Sequence, residues 1–102
     1  MKALDIQTNN SNQIVDFEYG GVSYKIHLFT FKGLTFADIN IDGDWIAYGV
    51  KCIPSSNLIR QKYLTKGGNF RWNSVDEEYP YFEKFNKSQQ LIFYTDEELS
   101  NM

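Results

Sequence analysis

The chain has 102 residues, with 10 Lys and Arg against 13 Asp and Glu, which gives a formal net charge of −3. This length fits a single β domain over residues 1–102, and the mild acidity argues against bulk binding to nucleic acid or anionic membranes. We expect neither a membrane span nor a signal peptide, because no apolar run of about 18 residues occurs and the sequence turns polar at Gln7.

The composition favours β structure. Only three residues are Ala, whereas 17% are aromatic, and Ile is the commonest aliphatic residue. Aromatic and β-branched side chains suit half-buried pleated surfaces better than helices.

The N-terminal third predicts three strands. Residues 3–6 form a short first strand within a partly irregular segment, 1–12. Alternating polar and apolar residues then predict a strand over 13–19, a hairpin turn at Gly20-Gly21, and a strand over 22–29 whose even-numbered residues face the core.

The strand after the next Gly turn contains a conflict of phase. Leu34 and Phe36 occupy even positions, whereas Ile39 and Ile41 occupy odd ones. A strand cannot face the core in both phases without an inserted residue, so we predict a β-bulge near Ala37-Asp38.

The turn at residues 42–44 leads into a returning strand over 45–52. Its alternation predicts one shared face for four residues: Ile46, Tyr48, Val50 and Cys52. Residues 57–68 fit either one helical turn or an irregular strand, and both options bury Leu58, Ile59 and Leu64.

The C-terminal third predicts strands at 70–73 and 90–94, with an edge strand or loop around Pro80. Thr95 precedes Glu98 by the capping-box spacing, which predicts a short C-terminal helix. Strands recurring every 8–12 residues or so indicate an all-β fold, a small antiparallel β-sandwich or barrel with a short C-terminal helical turn.

The chain carries few groups suited to catalysis. His27 is the only histidine and falls on the polar face of its strand, so we interpret it as structural. Cys52 is the only cysteine and falls on an apolar face, where a free thiol acts as a small hydrophobe. We therefore expect no enzyme activity and no internal disulfide.

The acidic residues do not match a metal or cofactor site. Asp42-Gly43-Asp44 lacks the spaced ligands of a calcium loop and reads as a turn. The clusters at 76–78 and 96–98 lie in polar stretches, so we interpret them as solvated. We predict no metal and no cofactor.

The aromatic residues suggest a binding surface. Several fall where the pattern is least regular, and a small domain leaves some of its rings near the surface. Tyr, Trp and Arg dominate the energetics of protein interfaces, and binding residues collect on loops of rigid scaffolds. The predicted partner interface consists of Arg60, Tyr63, Trp72, Tyr79 and Tyr81.

The order of these features resembles the baseplate plug family of contractile phage tails. The features that carry the likeness are the opening Gly hairpin, the strand ending in Asp-Gly, the returning strand and the segment it runs into, the Gly-Gly-Asn turn, the acidic segment before Pro80 and the C-terminal strand with its acidic helix. They occupy residues 17–26, 38–43, 46–50, 57–63, 67–70, 76–80 and 91–99.

This resemblance implies a non-enzymatic structural component of the phage tail baseplate in the virion. It implies packing against hub, spike and tail-tube proteins, with homo-oligomers only within that assembly, and assembly in the cytoplasm of the bacterial host. Two other classes are left open by the residues themselves. A small ligand- or carbohydrate-binding β module would place two coplanar rings beside a shallow groove, and an enzyme would unite His27 with carboxylates in a deep pocket.

Overall fold

The computed structural model describes residues 1–75 and 77–101, where the chain forms seven strands. The strands are β1 (Lys2–Ala3), β2 (Asn12–Tyr19), β3 (Val22–Phe31), β4 (Leu34–Ile41), β5 (Asp44–Lys51), β6 (Gly68–Ser74) and β7 (Gln89–Thr95). Helix α1 (Asp96–Ser100) follows β7, and short 3₁₀ turns lie at Lys62–Leu64 and Phe82–Lys84.

The strands form two antiparallel sheets. One has the order β2-β3-β4-β5, and the other has the order β1-β7-β6. The sheets do not close into a barrel, so the all-β prediction is confirmed in its two-sheet form.

Tight hairpins determine the register of the larger sheet. Tyr19 pairs with Val22 across the Gly20-Gly21 turn, as the alternation predicts. In the corresponding turn between β4 and β5, Asp42 has φ of 51° and Gly43 has φ of 93°. Two consecutive positive φ angles are typical of the type I′ turn, whose twist matches that of the flanking strands.

A single hydrophobic core draws on both sheets. Tyr24, Ile26 and Leu28 are buried on one face of β3, which confirms the predicted face of that strand. From the smaller sheet, β6 and β7 contribute Phe70, Trp72, Leu91 and Phe93 to the same core.

The β-bulge lies where it is predicted, but the extra residues belong to β5. Ala37 pairs with Val50 and Ile39 with Ala47, so Tyr48 and Gly49 together face the single residue between the two β4 partners. A second shift follows, because Asn40 pairs with Trp45. Gly49 has φ of 59° and donates its N–H to Asp38 Oδ1 at 2.7 Å.

The phase change expected inside β4 does not occur. Its odd-numbered residues are buried throughout, and Leu34 and Phe36 lie half-buried on the opposite face. The partner strand absorbs the mismatch, which breaks its own alternation: Tyr48 is exposed rather than sharing a buried face with Cys52. The prediction that the even-numbered residues of 46–52 share one face is therefore wrong at Tyr48.

Residues 53–64 link the two sheets. Asn57 bridges to Arg71 in antiparallel fashion, and Leu58 N–H donates to Phe70 O at 2.9 Å, so this segment extends the edge of β6. Leu58 and Ile59 are buried, as expected, and Leu64 packs half-buried on the core. Both predicted alternatives are therefore present: an irregular strand at residues 57–58, followed by a 3₁₀ turn at Lys62–Leu64.

The N-terminal strand is shorter than predicted, because only Lys2–Ala3 pair with β7. Beyond that pairing, Leu4 N–H donates to Leu91 O at 2.8 Å, and Leu4 and Ile6 are buried in the core. This part of the chain is therefore anchored by apolar burial where the strand pairing ends.

The capping box predicted at the C-terminus is present. Thr95 Oγ1 accepts from Glu98 N–H at 3.2 Å, and the Glu98 carboxylate accepts from Thr95 N–H at 3.0 Å. The same carboxylate contacts the amino group of Met1, and this hydrogen bond holds the pKa of Glu98 below its usual value.

Strand β2 forms an edge of the larger sheet with a regular backbone. All eight of its residues pair with β3 without a register shift. Ile14, Asp16 and Glu18 alternate along its exposed face, with Lys25 Nζ at 3.9 Å from Asp16 Oδ1. This edge therefore exposes two carboxylates together with the large side chains of Ile14 and Tyr19.

We expect Trp72→Ala to destabilise the fold strongly. Trp72 is 0% exposed and stacks on Phe85 with ring centroids 5.0 Å apart. Deleting such a ring costs about 3–5 kcal/mol, which lowers the unfolding temperature by roughly 10 °C or more. Thermal unfolding followed by circular dichroism measures this, and Tyr63→Ala, which truncates an exposed ring, is the matched control and stays within about 0.5 kcal/mol of wild type.

We expect the Cys52 thiol to be inert in the folded protein. Burial raises the pKa of Cys52 to about 12, against smaller opposing contributions from the Trp72 indole and Arg60. Because the thiolate is the reactive form, a thiol that is protonated at pH 8 and buried reacts very slowly. A disulfide reagent such as Ellman's should react only after denaturant is added, and reaction at the rate of a free cysteine before unfolding would contradict this.

Candidate protein-binding surface

The structure separates the five predicted interface residues into surface and core. Tyr63 is 84% exposed, Tyr79 is 47% exposed and Arg60 is exposed as well. Tyr81 is half-buried, with its ring 4.6 Å from that of Phe82 and its backbone N–H donating to a Gln89 side chain. Trp72 lies in the core and is not presented to a partner by the folded chain.

A shallow groove of about 450 Å³ lies along β5. Residues 46–51 form one wall, and Arg60, Gln61, Tyr63 and Leu64 form the other. Within the described part of the chain, β5 pairs with β4 on one side and with no strand on the other. The groove therefore borders a free sheet edge.

Lys51 joins Arg60 and Tyr79 to this groove. Arg60 Nη2 donates to Lys51 O at 2.8 Å, which fixes the guanidinium against the end of β5. Lys51 Nζ lies 4.8 Å from the centre of the Tyr79 ring, within the range of a cation–π contact. Three residues distant in sequence thus meet at one end of the groove.

Two of the exposed rings beside the groove are not among the interface residues predicted from the sequence. Tyr48 is 69% exposed and Trp45 is 40% exposed, and their rings stack with centroids 6.0 Å apart. The sequence signal for Tyr48 is the conflict of phase in residues 34–41, which indicates a bulge. The extra residue of that bulge lies in β5 and turns the Tyr48 side chain outward. We call Trp45, Tyr48, Lys51, Arg60, Tyr63 and Tyr79 together the β5-edge surface.

A smaller cavity adjoins the groove on the side of β6. It has a volume of about 260 Å³, and Arg60 lines both spaces. Arg71 from β6 and Asp96 from α1 also line it. The two cavities are therefore neighbours that share Arg60 in their lining.

His27 and Asp42, away from this surface, have structural partners. His27 lies between Asp38, with Nδ1 and Oδ2 3.2 Å apart, and Asn12, with Nε2 and Oδ1 2.8 Å apart. The Lys66 side chain, 2.8 Å from Asp42 Oδ2, and the Ser23 N–H hold the pKa of Asp42 below its usual value. This carboxylate ties the predicted turn at residues 42–44 to the start of β3.

No His, Cys, Asp and Glu side chains in the described ranges form a group of three or more that could hold a metal ion. The acidic cluster that begins at Asp76 is only partly covered, because Asp76 lies outside those ranges. Within the same ranges, none of the helices has the length and apolar character needed to cross a membrane.

The chain is similar to a known protein family over most of its length. The family model described as cyanophage baseplate Pam3 plug gp18 matches residues 1–97. No curated protein sequence matches the chain. Because the family match covers nearly the whole sequence, the chain belongs to the phage baseplate plug family, and is thus a structural component of the virion's tail baseplate.

Proposed function

We propose that this plug domain is non-enzymatic and docks onto neighbouring baseplate proteins, the hub, spike and tail tube, through the β5-edge surface. The observation that carries the proposal is the set of four exposed aromatic rings around a free strand edge. Assembly in the cytoplasm of the bacterial host belongs to the same proposal and agrees with a single reduced cysteine.

The energetics support an interface at this position. Large rings in contact with water tend to be buried by a partner, and Tyr, Trp and Arg are the residues whose truncation costs most at interfaces. Arg60 is already held by its hydrogen bond to Lys51 O, so less conformational entropy is lost when a partner binds.

The two bulges in β5 indicate how the contact is made. Bulges disrupt the regular spacing of backbone donors and acceptors that a partner strand needs for pairing. Side chains rather than an added strand therefore supply the contact at this edge. Tyr81, two residues beyond Tyr79, is half-buried and offers less area to a partner, and Trp72 contributes through the stability of the core.

A carbohydrate-binding module is the second candidate, because Trp45 and Tyr48 are exposed and stacked with 28° between their planes. Stacked rings of this kind also bind sugars. Titration with maltotriose and chitotriose distinguishes the two functions: a saturable change in tryptophan fluorescence that Tyr48→Ala abolishes would favour sugar binding.

We expect Tyr63→Ala and Tyr48→Ala to impair assembly without unfolding the protein. Each removes an exposed ring, so capture by tagged hub, spike and tube proteins should fall by about tenfold or more, the typical effect of losing an interface hot spot. Copurification from cells that express the baseplate proteins together measures this, beside thermal unfolding.

Ile14→Ala is the matched control, because Ile14 is exposed on β2 at the opposite edge of the same sheet. It should be captured like wild type. If Tyr48→Ala and Tyr63→Ala are also captured like wild type, the β5-edge surface is not the docking site.

A further inference from the structure

The two-residue turn between β2 and β3 determines which backbone groups of β2 face away from β3. Both turn glycines have positive φ, 58° and 79°, so the flanking residues Tyr19 and Val22 exchange both of their backbone hydrogen bonds. Bonded and non-bonded pairs alternate along an antiparallel ladder, which makes Glu18 and Ser23 a non-bonded pair. Ser23 agrees, because its N–H donates to Asp42 Oδ1 at 2.9 Å and its carbonyl accepts from Asp42 N–H at 2.8 Å, both on the side of β4.

The same alternation directs a row of backbone groups to the outside of the sheet. The N–H and C=O groups of Ile14, Asp16 and Glu18 point away from β3. Among the described residues, β2 pairs with β3 alone. Asn12 N–H donates to Asn10 Oδ1 at 3.2 Å, which ends the row on its N-terminal side. Residues 14–18 therefore offer donors and acceptors at the spacing that an incoming strand requires.

The side chains on the two faces of this stretch differ in character. Asp16 and Glu18 are exposed on the outer face of the sheet. On the inner face, Phe17 is half-buried and Tyr19 is 43% exposed, and both rings pack against the ring of Phe93. A strand added beside β2 thus meets carboxylates with one of its faces and aromatic rings with the other.

The charge at this edge favours a basic partner. Lys25 is the one cation beside the two carboxylates across the β2–β3 pairing, and its Nζ lies 3.9 Å from Asp16 Oδ1. Exposed ion pairs at such a distance are weak, so Asp16 is still able to accept from a second cation. Glu18 pairs in register with the neutral Ser23. The outer face therefore carries an excess of negative charge along residues 16–18.

We propose that β2 binds an extended segment of a neighbouring baseplate protein, in the antiparallel sense of the other strands. The segment carries Lys or Arg at every second residue, with apolar residues between them, because the side chains of an added strand alternate between faces. Backbone pairing supplies the affinity in this mode of recognition, and the alternating side chains supply the specificity. The site goes beyond the proposed function, since it lies at the edge opposite the β5-edge surface and does not depend on that surface.

A synthetic peptide tests the inference. The probe is acetyl-Thr-Lys-Val-Lys-Val-Lys-Thr-amide, and amide hydrogen exchange of the protein is followed by nitrogen-15 NMR. At a peptide concentration ten times the Kd, exchange at Ile14, Asp16 and Glu18 should slow by about tenfold. The N–H groups of Val15 and Phe17 already bond to β3 and should change little.

Two control peptides separate charge from backbone pairing. One has Glu in place of each Lys, and the other keeps the lysines but is N-methylated at their backbone nitrogens, which face β2 in the antiparallel arrangement. Neither should slow exchange at residues 14–18. Equal protection by the Glu peptide or by the N-methylated peptide, no protection by the probe, or protection that rises with protein concentration in the absence of any peptide would overturn the proposal. The last result would identify a second copy as the occupant.

Variants of one residue separate the same two contributions in the protein. Asp16→Asn removes a carboxylate and should weaken binding of the probe about threefold, the effect of an exposed ion pair. Asp16→Pro also removes the outward N–H, so binding should fall by about tenfold or more. Proline is tolerated on an edge strand where its nitrogen faces solvent, and thermal unfolding checks that both variants fold. If Asp16→Pro does not fold, the N-methylated peptide decides the role of backbone pairing.

Capture by the tagged baseplate proteins connects this edge to assembly. Capture of Asp16→Pro by at least one neighbouring protein should fall by about tenfold, whereas Ile14→Ala, which keeps the backbone and both carboxylates, should be captured like wild type. If Asp16→Pro is captured like wild type and Tyr48→Ala is not, the inference about β2 is wrong and the β5-edge surface stands. The converse result would support β2 and contradict the β5-edge surface.

Discussion

The pairing of β5 with β4 is the constraint on which the rest of the surface depends. Two extra residues of β5 must fit opposite β4, and the hydrogen bond from Gly49 N–H to Asp38 Oδ1 holds the first of these bulges in place. As a result, Val50 and Cys52 still reach the core while Tyr48 turns to solvent. The same strand ends at Lys51, whose carbonyl positions Arg60.

Much of the fold could be predicted because its signals are local. Alternation and Gly-containing turns act within a few residues, and the capping box at Thr95 acts over three. The bulge shows where local information ends. Conflicting phases in residues 34–41 reveal that an insertion is needed, but which of two paired strands accepts it depends on the fit of both to the opposite sheet. Gly49, the residue that tolerates the required positive φ, is on the partner strand.

The candidate surface was predictable in part for the same reason. Arg60, Tyr63 and Tyr79 lie in irregular segments, where side chains often remain exposed. The structure brings Arg60 and Tyr79 together at Lys51 and places Tyr63 along the same groove. Trp72 lies instead in the predicted strand 70–73, and its ring is buried because Phe85, thirteen residues later, packs against it. The tertiary contact with Phe85 is not visible in the local pattern.

The two edges of the larger sheet differ in a way that affects the protein before it is incorporated. The β5 edge is bulged, whereas β2 offers eight regular residues to any strand that approaches. Asp16 and Glu18 act as gatekeepers there, since two copies meeting along β2 would bring their carboxylates close together in a chain that is already anionic. Electrostatic repulsion at this edge would therefore oppose the pairing of two copies along β2.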